Sequence, residues 1–198
     1  MTEIQKKPKI TKRFFAQTAA VLTICMLPLL VIFSLSGPPK STSPKNPPLE
    51  AIQEGLLFPD ISLHRLSQQA HDSKKLSTIQ APLILINFWA TWCAPCLVEM
   101  PSLLRLYNKY KEEGFKIIFI NVDDPPFDEA LQKLNDLKIN FETYQDSDFK
   151  LRNELQIMGI PFTIILDNNK NILYLERGQR DWNASEIHEQ FKIWLHSK

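Results

Sequence analysis

Apolar residues in this chain fall into three kinds of run. The longest, Phe14–Leu35 (FFAQTAAVLTICMLPLLVIFSL), carries no charge over 22 residues. As a helix it would span about 33 Å, enough for the hydrocarbon core of a bilayer. Two shorter runs, Pro82–Trp89 (PLILINFW) and Lys116–Val122 (KIIFINV), have the length and β-branched content of strands buried on both faces. Elsewhere the spacing becomes helical. Ala94–Glu112 places Leu97, Met100, Leu104 and Tyr107 on one stripe, and Asp128–Leu137 places Leu131 and Leu134. Ala184–His196 does the same with Ile187, Phe191, Trp194 and Leu195. Gly114 should end the first helix and Asn183 should cap the last. Ile61–Leu66 and the stretch around Leu76–Ile79 read as a short leading hairpin or irregular strands. Phe141–Gln145 reads as a minor strand and Phe149–Leu155 as a short helix. Phe162–Leu166, the turn Asp167–Lys170 and Asn171–Leu175 form a hairpin pattern. Strands alternating with helices, then a hairpin and a closing helix, predict an α/β sandwich around a mixed sheet.

Charge refines the N-terminal reading. Residues 1–35 hold five of the 23 cations (Lys6, Lys7, Lys9, Lys12, Arg13) and one of the 22 anions, Glu3. The remainder carries 18 cations against 21 anions. With cations ahead of the apolar run, the positive-inside rule puts residues 1–13 in the cytoplasm and the rest outside. A cleaved signal peptide is the rival, since Ser34 and Ser36 precede Gly37, but its apolar stretch is normally shorter. Ile24 stands where a lipoprotein site at Cys25 would need a small residue, and Cys25 itself reads as a small apolar side chain in lipid. Pro38, Pro39, Pro44, Pro47 and Pro48 make the next segment a semi-rigid extended tether. The expected organisation is a basic tail at 1–13, a membrane anchor at 14–35, a linker at 36–57 and one compact domain at 58–198. A net charge of +1 gives no basic excess for a phosphate backbone, so no nucleic-acid partner is expected.

Three cysteines are too few for a disulfide framework, so their chemistry must be local. Cys93 and Cys96, separated by Ala94 and Pro95, sit where the first buried strand passes into the first long helix. Free amides and the helix dipole favour anionic sulfur there, so Cys93 ionises more readily than a free cysteine. Pro95 suits a first helical turn, where its missing N–H costs nothing. Cys96, one turn inward, can attack a mixed disulfide formed at Cys93, and the pair exchanges two electrons with a substrate disulfide. Two plainer readings compete. Half a zinc site would need further ligands, and His64, His71, His188 and His196 lack the spacing. A purely structural bridge over two residues would stabilise little.

The stretches NFWATWCAPC, CLVEMP with its Glu-x-Pro, FINVDD and MGIPFTIILDNNKNIL recur in the order found in the thioredoxin superfamily. More narrowly, they resemble the membrane-tethered TlpA/ResA-like disulfide reductases of the bacterial cell envelope, from about residue 58 to the C-terminus. The resemblance implies a thioredoxin-like fold with a mixed central sheet flanked by helices, and neither cofactor nor metal. It makes Cys93 the attacking and Cys96 the resolving sulfur. Pro161 becomes a cis-proline after Ile160, whose backbone pairs with an extended substrate segment, and Trp92 packs beside the disulfide. Cytoplasmic thioredoxin has a buried acid six residues before the first cysteine, where this chain has Asn87. Another acid should then move protons: Glu99, three residues after Cys96, or Asp124 after the second strand, with Asp123 as the substitute. Phe162 stands where haem-maturation reductases of the CcmG type usually have a glutamate and where TlpA/ResA-like chains often have a small polar residue.

The resemblance further implies an enzyme, a protein-disulfide oxidoreductase working mainly as a reductant outside the cytoplasmic membrane. Its electrons would come from a membrane thiol transporter of the CcdA/DsbD kind. They would pass to an exported client disulfide, such as that of apocytochrome c before haem attachment. A thiol peroxidase on the same fold and a copper-carrying or docking module are the rivals. The tryptophan-flanked Cys-x-x-Cys argues against the first, and the narrow cysteine spacing without an added histidine against the second.

Overall fold

A computed structural model of the chain describes residues 52–67 and 72–196. The tail at 1–13, the apolar run at 14–35 with Cys25, and the linker up to residue 51 lie outside the described residues. Among the described residues no helix is long and apolar enough to cross a membrane.

The elements run β1 (Ser62–Arg65), β2 (Ser73–Lys75), β3 (Leu83–Trp89), α1 (Ala94–Tyr110), β4 (Phe115–Asn121), α2 (Asp128–Asp136), β5 (Glu142–Gln145), α3 (Lys150–Glu154), β6 (Phe162–Asp167), β7 (Ile172–Arg177) and α4 (Ser185–His196). One seven-stranded sheet has the order β2-β1-β5-β4-β3-β6-β7. β3, β4 and β5 run parallel, while β6, β7 and the β1–β2 pair are antiparallel to their neighbours. The mixed sheet is as expected. β3 lies between β4 and β6 and is buried along its whole length, which is why its sequence is apolar without alternation.

Helices pack on the sheet through aromatic contacts. Phe191 of α4 meets Tyr110 of α1 at 5.4 Å and Phe115 of β4 at 5.0 Å, while Tyr107 meets Phe141 at 4.9 Å. Gly114 ends the α1 region at φ 88°, and a Cβ there would stand 2.8 Å from Pro82 Cδ. Glycine is required twice over, by backbone conformation and by space.

Several expectations shift. The core-facing side of α1 is Cys96, Glu99, Met100, Ser102, Leu103, Leu106 and Tyr110, whereas Leu97, Leu104 and Tyr107 are half-buried. Two polar residues occupy the inner face because partners await them there, so an apolar stripe drawn through leucines is turned off axis. α2 buries Ala130 and Leu134 and leaves Leu131 40% exposed. Leu76–Thr78 is a 3₁₀ turn and not a strand, held by Ser77 N–H and Oγ donating to Asp60. Asn183 does not cap α4. Its Oδ1 lies 3.2 Å from His188 Nε2, and the helix starts from the Ala184 carbonyl.

The compact body also begins before Phe58. Ile52 is buried, Gly55 N–H donates to the Ile172 carbonyl at 2.7 Å, and Ile172 N–H donates to Leu56 O at 2.8 Å. Glu54 Oε1 accepts from Leu175 N–H, so residues 52–57, assigned to the linker by composition, line the outer edge of β7.

Candidate active site

Cys93 ends the loop after β3 and is the N-cap of α1, with Pro95 in the first turn. The loop is tied down by Cys93 N–H to Ala90 O at 3.2 Å, and Val122 N–H joins the end of β4 to Trp89 O at 2.9 Å. Cys93 and Cys96 form a disulfide with Cα atoms 5.3 Å apart. Cys93 is 4% exposed and Cys96 is fully buried, so attack from solvent falls on Cys93. Cys96 N–H points at Cys93 Sγ from 3.3 Å. A Cys93 thiolate in the reduced protein gains that donor and the positive helix end.

Glu99 lies one turn beyond Cys96 and is 1% exposed. Its Oε1 accepts from Asn87 Nδ2 at 2.8 Å, and its Oε2 accepts from Arg180 N–H and Trp182 Nε1–H, each at 3.2 Å. Burial pushes the Glu99 carboxyl up to about 7; the donors from Arg180, Asn87 and Trp182 oppose this, and the Glu176 charge adds to it. Asn87 also donates to Thr163 Oγ1 at 2.9 Å, across the β3–β6 pair in which the two residues face each other. Asn87 Oδ1 is buried without a hydrogen-bond partner. A half-turn of the amide would offer that oxygen to a protonated Glu99.

The two aspartates divide differently from the first choice. Asp124 is exposed, while Asp123 is 8% exposed. Asp123 accepts from Thr91 N–H at 3.0 Å, Thr91 Oγ1 at 3.2 Å and Asn121 Nδ2 at 2.7 Å. Its carboxylate fixes the turn that delivers Cys93, which is a positioning task. Asp124, followed by a cis Pro125–Pro126 bond that sequence reading did not anticipate, lines a groove with Thr91, Trp92 and Glu129. Trp92, next to Cys93 in the chain, is 66% exposed.

The Ile160–Pro161 bond is cis. Phe162 pairs with Phe88, so Pro161 sits one step further along, level with Trp89 where β3 gives way to the disulfide loop. Ile160 is half-buried and the neighbouring Met158 is 96% exposed, giving that side of the site an apolar rim. Arg180, Trp182, Ser102 and Thr163 were missed by sequence reading. Gln179–Asn183 is a polar loop with no period, and nothing in it signals that Trp182 is fully buried.

A profile of the Redoxin family matches residues 53–190. The chain is similar to the thiol-disulfide oxidoreductase ResA of Geobacillus kaustophilus, 30% identical over 139 residues, covering 70% of this chain and 77% of the relative. ResA of Oceanobacillus iheyensis is 26% identical over 174 residues, covering 87% of this chain and 85% of the relative. Among solved structures, a thiol:disulfide interchange protein DsbE from Chlorobium tepidum superposes with TM-score 0.64 at 25% identity, covering 73% of this chain and 99% of its own. A thioredoxin domain from Bacteroides vulgatus superposes with TM-score 0.61 at 21% identity, covering 73% of this chain and 99% of its own, a likeness of fold alone.

Proposed function

The chain belongs to the Redoxin family, as a TlpA/ResA-like thiol-disulfide oxidoreductase, and from that premise we propose that it reduces disulfides of exported proteins outside the bacterial cytoplasmic membrane. One observation carries the reading: the Cys93–Cys96 disulfide caps α1 with only Cys93 reachable, and a buried carboxyl lies one turn below. The Cys93 thiolate attacks one sulfur of a client disulfide and expels the other as thiolate. Cys96 then attacks Cys93, releasing the second client thiolate and closing the protein's own disulfide. Two electrons pass to the client, and Glu99 takes the proton that Cys96 gives up.

Residues 14–35 serve as the anchor, with 1–13 inside and the catalytic domain outside. The outer compartment is oxidising, so a membrane thiol transporter of the CcdA/DsbD kind returns the electrons. Apocytochrome c before haem attachment is the client class that the family suggests. The uncharged Ala94-Pro95 pair adds no cation between the cysteines, in keeping with a reductant.

The full chain carrying Cys96→Ala, produced in cells, should accumulate thiol-sensitive mixed disulfides between Cys93 and exported proteins. Cys93→Ala should accumulate none. Capture of cytoplasmic proteins only, or of nothing, would overturn the proposal.

A further inference from the structure

The loop from Gly178 to Trp182 touches both sides of the site. At one end Gly178 N–H donates to the carbonyl of cis-Pro161 at 2.9 Å. At the other, Arg180 N–H and Trp182 Nε1–H reach Glu99, and Trp182 N–H donates at 3.0 Å to Ser102 Oγ, which itself donates to Glu99 O at 2.7 Å. The Arg180 side chain turns the opposite way. Its Nη1 donates to Tyr174 OH and to Glu176 Oε2, each at 2.6 Å, and Tyr174 OH donates to the same Glu176 oxygen at 2.6 Å. The guanidinium also lies 5.6 Å from the Tyr174 ring centre. The guanidinium is thus held through Nη1 by two partners on one strand, with Glu186 Oε1 3.9 Å from Nη2, and this restrains the backbone that bears it.

We propose that Arg180 is a positioning residue for the thiol-disulfide reaction. Clamped to Tyr174 and Glu176 of β7, it holds the loop whose N–H groups grip Glu99 at one end and the cis-Pro161 carbonyl at the other. The inference rests on Glu99 being the proton-carrying acid. The Glu99 carboxylate accepts from Asn87 of β3, itself bonded to Thr163 of β6, and from Arg180 N–H and Trp182 Nε1–H of the loop; the Glu176 charge of β7 acts on it, and Ser102 is bonded to its backbone carbonyl. The charged members are Glu176, which disfavours a second anion, and Arg180, which neutralises Glu176. Releasing the clamp withdraws donors from the carboxylate and bares the Glu176 charge, and both changes favour the protonated acid.

The test follows the Trp182 indole N–H resonance through a pH titration of the oxidised full chain in detergent, alongside the pH profile of reduction of a small disulfide by the dithiol form. In the unaltered chain the resonance should titrate near pH 7, and in Glu99→Gln it should not titrate. Arg180→Met should raise the midpoint by about one pH unit, a tenfold gain in proton affinity, and move the activity profile with it. Tyr174→Phe, which removes a single hydroxyl, should give a smaller rise and guards against misfolding of the first variant. Glu176→Ala separates mechanisms: loss of the clamp raises the midpoint, whereas loss of a nearby negative charge alone lowers it. A midpoint left in place by Arg180→Met, or lowered by Glu176→Ala, overturns the positioning role. Titration that persists in Glu99→Gln overturns instead the assignment of Glu99 on which it rests.

Discussion

Replacing Glu99 by glutamine keeps the size and one carbonyl oxygen of the side chain but removes its ability to ionise. The carboxyl is raised from an ordinary 4.5 to about 7 in the folded chain, chiefly by burial. Between those values the folded state binds more protons than the unfolded state, so stability falls as pH rises. The contribution is fully present below 4.5 and is lost as pH climbs through 7. The gap corresponds to about 3 kcal/mol, a large share of the stability of an ordinary domain. Urea unfolding of the oxidised chain at a series of pH values from 4 to 8, for wild type and Glu99→Gln together, isolates this group because other titrations cancel in the difference. The variant should gain about 3 kcal/mol on the wild type across that range, most of it between pH 5 and 7. Glutamine brings an N–H₂ toward Asn87 Nδ2, and rotation of the Asn87 amide offers the unpartnered Oδ1 as acceptor. That adjustment does not vary with pH, so it shifts one curve against the other by a constant and leaves the change of their separation with pH intact. Parallel curves would refute the burial argument. A difference centred below pH 5 would mean that the donors from Arg180, Asn87 and Trp182 outweigh desolvation.

The two aspartates should behave oppositely. Asp123→Ala strips the Thr91 turn of its acceptor and should cost about 2–4 kcal/mol in urea unfolding, whereas Asp124→Asn should stay within about 0.5 kcal/mol. Gly114→Ala meets both a left-handed φ and the Pro82 ring, and should lower stability by about 1–3 kcal/mol in the same assay. Cys96→Ser should consume no hydrogen peroxide beyond stoichiometric oxidation of Cys93. Sustained turnover there would favour a peroxidase.

What the sequence revealed was whatever local pattern encodes. β3 and β4 are legible because burial on both faces leaves an unbroken apolar run, and the Cys-x-x-Cys is legible because its spacing and helix-opening position carry the chemistry. The α1 face was misread because Glu99 and Ser102 are polar, and a stripe drawn through leucines cannot anticipate buried polar residues with distant partners. The linker boundary failed for a related reason. Residues 52–57 contain no strong strand pattern, yet β7 presents an open edge that they cover. Asp123 and Asp124 are neighbours of one residue type, and only the fold turns one inward.

The distribution of partners around Glu99 explains why no window of sequence could display the site. The groups touching its carboxylate come from residues 87, 180 and 182, and Asn87 is in turn held by Thr163. Each alone is ordinary: an asparagine in a strand, a threonine opposite it, a tryptophan in a polar loop. Brought together, they set two opposing effects on one acid. Burial among apolar neighbours disfavours the anion, and three N–H donors favour it, with the balance falling at about 7. A carboxyl poised there can both receive a proton from an attacking thiol and return it near neutral pH, since neither direction is steeply uphill. An unopposed burial effect would hold the acid protonated and useless as a base, and a fully solvated carboxylate would be too weak a base to draw a proton from a thiol. Two of the three donors that act on this acid therefore come from a loop about 80 residues further along the chain.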